Sequence, residues 1–206
     1  MPRKRIEKLE TEFCKVLVRI GAIKFGVFTL TSGKLCPYYV DLRIVPSFPE
    51  ALSNVMRIYQ NLAKTAVGIE RFHRIVGIPT AGVPFASILA FGLGKPFLYV
   101  RKETKTHGRE RRVEGLLSPG EKILIVDDLI TTGKSTGEAI EAIRSEGGLV
   151  EDAVVLIDRE EGGAKHLKTM GVTLHAFMKI SQIAKELYAL GAIDESKFQD
   201  IVRQCV

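Results

Sequence analysis

The sequence predicts an α/β fold of the doubly wound kind, built on a mostly parallel five-stranded sheet. Three observations carry this expectation. Short apolar runs at Ile75–Ile78, Phe97–Val100, Lys122–Val126, Ala153–Ile157 and Val172–Phe177 alternate with segments of helical periodicity. Several of these runs lack the in–out alternation of a half-buried strand, which marks strands covered on both faces. Strand alternating with helix then implies parallel pairing, with helices on the two faces of the sheet.

Taken in order, the first element is an amphipathic helix. Ile6, Leu9, Phe13, Val16, Leu17 and Ile20 recur at helical spacing, and Gly21 ends it. Phe28 and Leu30 then alternate with threonines, Thr31-Ser32-Gly33-Lys34 reads as a turn, and Tyr38–Leu42 reads as a return strand. A second helix is expected from Ser47, where Ser47 and Glu50 have capping-box spacing, and Leu52, Val55, Met56, Tyr59, Leu62 and Ala63 give it an apolar face. The uncharged stretch 75–94 is long enough to span a bilayer. Pro79, Pro84 and its four glycines fit a buried strand–loop–helix unit instead. After Lys122–Val126 comes a helix with Ala139, Ile140 and Ile143 on its apolar side and Gly147-Gly148 as its stop. Two amphipathic helices begin near Ser181 and Asp194, with Gly191 between them.

Size and composition narrow the class. A chain of 206 residues with 46% hydrophobic and 26% charged residues fits one soluble globular domain. The formal charge of +6 is uneven: Arg101 to Glu114 holds six Arg or Lys against three Glu. Such a cluster suits a phosphate-rich small molecule at least as well as a nucleic acid duplex. Cys14, Cys36 and Cys205 form no CxxC pair, and the four histidines show no metal-ligand spacing. Reduced thiols in a cytoplasmic protein without structural zinc are therefore expected. The opening segment MPRKRIEKLE is charged and has no apolar signal core, in line with that compartment and with no membrane association.

The most informative segment follows Val126: Asp127-Asp128-Leu129-Ile130-Thr131-Thr132-Gly133-Lys134-Ser135. It joins the end of a strand to the start of a helix, the place where open α/β sheets bind ligands. Free amides and the helix dipole there favour a phosphate. Thr131, Thr132 and Ser135 add hydroxyl donors, and Gly133 admits close approach. Gly133-Lys134-Ser135 looks like the end of a nucleotide-binding P-loop, but that motif needs glycine where Asp128 stands. Two carboxylates ahead of a phosphate cradle suit a sugar phosphate, because they can accept hydrogen bonds from its vicinal hydroxyls.

The stretch Arg101 to Gly120 is long for a connection between consecutive strands, and such loops are usually functional. Cations on a closing lid stabilise charge that develops on a bound phosphate ligand and keep water out. Lys102, Lys105 and His107 are the candidates, with Gly108 and Gly115 as hinges.

The string from Ile125 to Gly133 resembles the signature of type I phosphoribosyltransferases. The resemblance implies a Rossmann-like core with a small N-terminal hood subdomain, the hood mainly 1–45 plus the C-terminal helices and the core about 46–180. It implies 5-phosphoribosyl 1-diphosphate as the donor, bound by Arg101, Lys102, Lys105, His107 and the residues Asp127, Asp128, Leu129, Ile130, Thr131, Thr132, Gly133, Lys134 and Ser135. It also implies Mg²⁺ held mainly through that ligand rather than by a protein metal site.

Arg101-Lys102-Glu103-Thr104-Lys105-Thr106-His107-Gly108 resembles the catalytic loop of the orotate phosphoribosyltransferases in particular. In that family the loop serves the neighbouring subunit, which implies a homodimer with shared sites and no nucleic acid partner. Three more segments carry the likeness: Phe28–Gly33 with Pro37–Arg43 for the hood, Gly77–Pro84 for the diphosphate loop, and Asp158–Gly163 for the acceptor turn. Thr131, Arg159, Tyr38 and Tyr39 then become the acceptor-site candidates. A guanidinium binds a carboxylate such as that of orotate bidentately. Two roles are open to Arg159: reading that carboxylate, or pairing with a neighbouring glutamate. Tyr38 and Tyr39 either flank a pyrimidine or pack the hood.

Two positions depart from many bacterial members: Thr31 stands in place of Lys, and Thr80-Ala81 in place of a Tyr-Lys pair. Other nucleobases remain alternative acceptors. So does a phosphoribosyl-diphosphate-sensing regulator of the same fold, though no helix-turn-helix fits before Gly26.

Overall fold

A computed structural model describes residues 3–29, 35–101 and 112–204. Helix α1 spans Arg3–Arg19 and leads into an antiparallel pair, β1 (Ile23–Thr29) and β2 (Leu35–Val40). A 3₁₀ turn, Leu42–Ser47, precedes α2 (Pro49–Leu62). The alternation of the main layer follows: β3 (Arg74–Gly77), α3 (Gly82–Leu93), β4 (Phe97–Val100), β5 (Val113–Glu114), β6 (Lys122–Val126), β7 (Leu129–Ile130) and α4 (Lys134–Ser145). Then come β8 (Leu149–Asp158), α5 (Gly163–Thr169), β9 (Thr173–Lys179), α6 (Ile180–Ala189) and α7 (Glu195–Arg203).

Strands β4, β3, β6, β8 and β9 lie side by side and parallel, as the alternating apolar runs predict. Burial explains why those runs do not alternate in polarity. Ile75, Leu124, Val126, Val154 and Leu156 pack on the face that holds Val55, Tyr59, Phe85 and Leu89 of α2 and α3. Val76, Ile123, Ile125, Ala153 and Val155 pack on the opposite face with Ile140, Ile143 and Leu167 of α4 and α5. The first of these clusters continues through Phe13 and Leu17 of α1, Tyr38 of β2 and Ile183 and Leu187 of α6, so both sheets share one core.

Along the sheet the chain order of the five parallel strands is second, first, third, fourth, fifth. Direction therefore reverses between β3 and β6, and a crevice opens at their carboxyl ends. Hydrogen bonds carry the pairing past the strand ends: Ile78 N–H donates to Val126 O at 3.2 Å.

Several boundaries differ from the sequence reading, each for a local reason. Helix α2 is not capped by Ser47. That residue closes the 3₁₀ turn, which Asp41 caps by accepting from Arg43 N–H, and α2 begins instead with Pro49 at its first position after Phe48. Strand β2 ends at Val40 for the same reason. Strand β8 runs from Leu149, well before the apolar Ala153, because buried Asp152 has partners: His175 Nε2 at 2.7 Å and Arg71 Nη2 at 3.2 Å. The long connection after Val100 is not loop throughout. Its far end returns as β5, antiparallel to β4. Leu129–Ile130, read as turn, pairs with the carboxyl end of β8. Among the described residues no helix is long and apolar enough to cross a membrane.

Candidate active site at the β3/β6 crevice

Strand β6 is buried from Ile123 to Val126 and drives the chain straight to the crevice, where Asp127 and Asp128 interrupt it before β7. Their backbone is fixed from three sides. Asp127 N–H donates to Val154 O, the Tyr59 hydroxyl donates to Asp127 O at 2.7 Å, and Asp128 O accepts from Leu156 N–H at 3.0 Å. Both aspartates are only 8% exposed. The Asp127 carboxylate accepts from Asp128 N–H at 3.0 Å and the Asp128 carboxylate from Leu129 N–H at 2.8 Å. Burial holds the Asp128 carboxyl above its ordinary pKa, only partly offset by those backbone donors.

Beyond β7 the chain turns into α4 through Gly133 at φ 80°, a left-handed conformation that glycine adopts without strain. The amides of Thr132, Gly133, Lys134 and Ser135 have no acceptor among the described residues, as at any helix start. They border a cavity of about 220 Å³ whose other walls are Asp127, Asp128 and the Pro79-Thr80-Ala81 loop after β3. Here four backbone donors at the positive end of a helix face two buried carboxylates, an arrangement suited to a phosphate and the hydroxyls of one sugar. Two close approaches build the walls. A Cβ on Gly82 would lie 2.6 Å from Val126 O and 2.8 Å from Asp127 Oδ1, and one on Gly163 would lie 2.5 Å from Thr131 O.

An adjoining cavity of about 320 Å³ is lined by Arg101, Arg112, Lys134 and Glu138 beside Pro79. Arg101 and Arg112 stand at the two ends of the basic segment. Arg101 N–H donates to Arg112 O at 2.8 Å, and Glu146 accepts from the backbone N–H groups of Arg112 and Val113. The base of that segment is therefore a fixed antiparallel clasp. Lys102, Lys105, His107, Gly108 and Thr31 lie outside the described residues.

The turn after β8 reaches the same crevice. Arg159 N–H donates to Ile130 O at 3.0 Å and Gly163 N–H to Thr131 O at 2.8 Å, so Arg159 and Thr131 are brought together. Glu160 adopts φ 58°, and its N–H donates to Asp158 Oδ1 at 2.8 Å. The Arg159 side chain is enclosed. Its Nε donates to the Tyr38 hydroxyl at 3.2 Å, its Nη2 pairs with Glu161 Oε1 at 2.8 Å, and its guanidinium carbon lies 4.9 Å from the Tyr38 ring centre.

The two tyrosines part company because successive strand residues point to opposite faces. Tyr38 is 1% exposed under Arg159, and burial pushes its phenol up to about 12. Tyr39 points the other way, against Phe28, and its hydroxyl accepts from Arg43 Nη2 at 2.9 Å.

The structure thus gathers Asp127 through Ser135 around one crevice with Arg101 at its edge, sets Arg159 on the adjoining turn over Tyr38, and turns Tyr39 to Arg43. It also adds Tyr59, Gly82 and Arg112. Tyr59 reads in the sequence as one more apolar position of α2, and nothing local signals that its hydroxyl reaches Asp127.

The chain is similar to known proteins over most of its length. Residues 47–187 match the family described as phosphoribosyl transferase domain. The orotate phosphoribosyltransferase of Pyrobaculum islandicum is 41% identical over 90% of this chain and 93% of its own length. That of Staphylothermus marinus is 42% identical over 93% and 92%. Among solved structures, orotate phosphoribosyltransferase from Aeropyrum pernix superposes with a TM-score of 0.74 at 34% identity, covering 87% of this chain and 99% of that one. UMP synthase from Leishmania donovani gives 0.84 at 33% identity over 95% of this chain, which spans 42% of that longer protein.

Proposed function

This chain belongs to the orotate phosphoribosyltransferases, and from that premise we propose how its residues divide the reaction. The chain transfers the 5-phosphoribosyl group of 5-phosphoribosyl 1-diphosphate to orotate, giving orotidine 5′-monophosphate and diphosphate. The bond from the ribose anomeric carbon to the diphosphate oxygen breaks, a bond from that carbon to a ring nitrogen of orotate forms, and that nitrogen loses its proton.

One observation carries the assignment of roles: two buried carboxylates stand beside a run of acceptorless amides at the sheet's switch point. The amides of 132–135, with the Thr131, Thr132 and Ser135 hydroxyls, take the 5′-phosphate. Asp127 and Asp128 accept from the ribose hydroxyls and orient the anomeric carbon. Arg159, braced over Tyr38, receives the carboxylate of orotate. Arg101, with Lys102, Lys105 and His107 of the lid, faces the departing diphosphate and stabilises its growing charge.

Mg²⁺ fits this donor set. Two carboxylates and a ligand rich in phosphate oxygens are the partners it prefers, and it needs no dedicated protein cage. Among the described residues no cluster of three or more His, Cys, Asp or Glu could hold a metal by itself. The ion would sit chiefly on the diphosphate and ribose oxygens, where it neutralises charge on the leaving group.

Residues 1–45 with the C-terminal helices form the hood and 46–180 the core, in a cytoplasmic homodimer whose lids serve the neighbouring sites. The exposed apolar side chains of α3, with Phe91 90% exposed, support such a pairing. The test is the fall in orotate's ultraviolet absorbance on adding protein, Mg²⁺ and 5-phosphoribosyl 1-diphosphate. Consumption of uracil or a purine in preference to orotate would remove the acceptor assignment and leave phosphoribosyl transfer standing.

A further inference from the structure

Arg159 is 8% exposed, and Nε and Nη2 of its guanidinium already meet partners within the chain. Nε donates to the Tyr38 hydroxyl at 3.2 Å, and Nη2 serves both Cys36 Sγ at 3.4 Å and Glu161 Oε1 at 2.8 Å. A carboxylate meets a guanidinium in two bidentate ways, along the Nε/Nη2 edge or across the Nη1/Nη2 end. Nη2 is common to both, and Glu161 Oε1 already stands 2.8 Å from it. A ligand carboxylate can therefore dock bidentately only if Glu161 gives way.

The two groups differ in their freedom to do so. The Arg159 side chain is 9% exposed and the Glu161 side chain 27%, so only Glu161 has water to move into. The turn itself is braced on both sides. Arg159 N–H is held by Ile130 O, Gly163 N–H by Thr131 O, and the Glu160 carboxylate accepts from Ser181 N–H at 3.1 Å and lies 3.4 Å from Lys179 Nζ. The exchange is thus a rotation of one side chain over a fixed backbone.

Charge gives it direction. An enclosed guanidinium without a counter-ion is costly, so the site needs one carboxylate at all times. Two carboxylates on one guanidinium repel each other.

We infer that Glu161 is a placeholder for the acceptor's carboxylate, neutralising Arg159 while the site is empty and yielding its place when an anionic acceptor enters. The exchange conserves the charge of the buried site. It also discriminates, because an uncharged base brings nothing to replace Glu161 and meets its carboxylate still in position. This inference rests on the reading of Arg159 as the acceptor's carboxylate receptor.

The test is Glu161→Gln, which keeps the shape and an oxygen acceptor but removes the competing charge. The KM for orotate should fall roughly tenfold, the scale of one charge-assisted contact no longer competed for. The KM for 5-phosphoribosyl 1-diphosphate, bound at the 127–135 turn, should hold. The rise in melting temperature produced by orotidine 5′-monophosphate should be larger than in the unmodified protein. Glu161→Asp, which keeps the charge but shortens its reach, should move the orotate KM the same way by less. An orotate KM that stays or rises in both variants overturns the placeholder, as does a parallel loss in both KM values, the mark of a merely structural role. Arg159→Ala separates the two levels. If it raises the orotate KM by roughly 30-fold or more while Glu161→Gln changes nothing, only the placeholder is lost. If Arg159→Ala leaves the orotate KM alone, the role of Arg159 itself is wrong.

Discussion

Gly82→Ala should disable this site without touching a group that reacts. Gly82 opens α3, and its α-carbon faces the junction between β6 and Asp127. A Cβ there would lie 2.6 Å from Val126 O, 2.8 Å from Asp127 Oδ1 and 3.0 Å from Asp127 Cα. Ordinary contact begins near 3.4 Å, so the carbonyl contact alone demands a shift of 3.4 − 2.6 = 0.8 Å. None of the groups yields freely. Val126 O accepts from Ile78 N–H, and Asp127 is tied to Val154 and Tyr59. Overpacking of this kind costs about 1–3 kcal/mol of stability. Displacing a catalytic constellation by about 1 Å costs on the order of 10²-fold in rate.

The expected result is a variant that still folds, with a lower urea midpoint and kcat/KM down about 10²-fold in the orotate absorbance assay. Gly92→Ala is the control from the same helix. It meets only the end of the Gln60 side chain, at 3.0 Å, and should be neutral or stabilising by up to about 1 kcal/mol. Unchanged stability and kinetics in Gly82→Ala would refute the claim that this contact sets the position of Asp127.

Three further outcomes are expected. Tyr59→Phe removes the hydroxyl that donates to the Asp127 carbonyl and should cost about 1–3 kcal/mol in chemical denaturation, with a higher KM for 5-phosphoribosyl 1-diphosphate; a change in neither would make Tyr59 ordinary packing. Asp128→Asn should raise the melting temperature at neutral pH while abolishing turnover. The folded pKa of Asp128 lies above its ordinary 3.8, so the folded state binds the proton more tightly and loses stability as pH rises from about 3.8 through the raised value; the gap between variant and unmodified protein should close as pH falls through that window, and a gap that widens would refute the sign. Lys105→Ala should lower kcat by roughly 10²-fold, and mixing it with inactive Asp128→Asn should restore activity in hybrid dimers; no recovery after proven subunit exchange would mean that each lid serves its own subunit.

Much of this protein is written locally in its chain. The five parallel strands show because a strand buried on both faces needs an unbroken apolar run, and β4 and β6 begin and end where those runs do. The phosphate turn shows because its chemistry needs consecutive residues: two carboxylates, hydroxyls, a glycine and a helix start. The basic segment between Arg101 and Glu114 shows because its charge is contiguous. Arg159 is visible as a cation at a strand's end, which points to a ligand carboxylate, but the glutamate it meets is set by the fold.

The tertiary structure decided what depends on distant residues meeting. Strand order, and with it the crevice between β3 and β6, follows from how the whole sheet packs, and no segment of the chain encodes it alone. Tyr59 becomes a site residue only because α2 crosses the sheet beneath Asp127, 68 positions along the chain. Tyr38 and Tyr39 are alike in sequence, and strand geometry sends one under Arg159 and the other to Arg43. Glu161 and Cys36 converge on one guanidinium from the core turn and the hood strand. Periodicity and motif spacing report what a residue's near neighbours require. The partners of a buried charge are chosen by the fold, because only the fold brings together groups that water would otherwise keep apart.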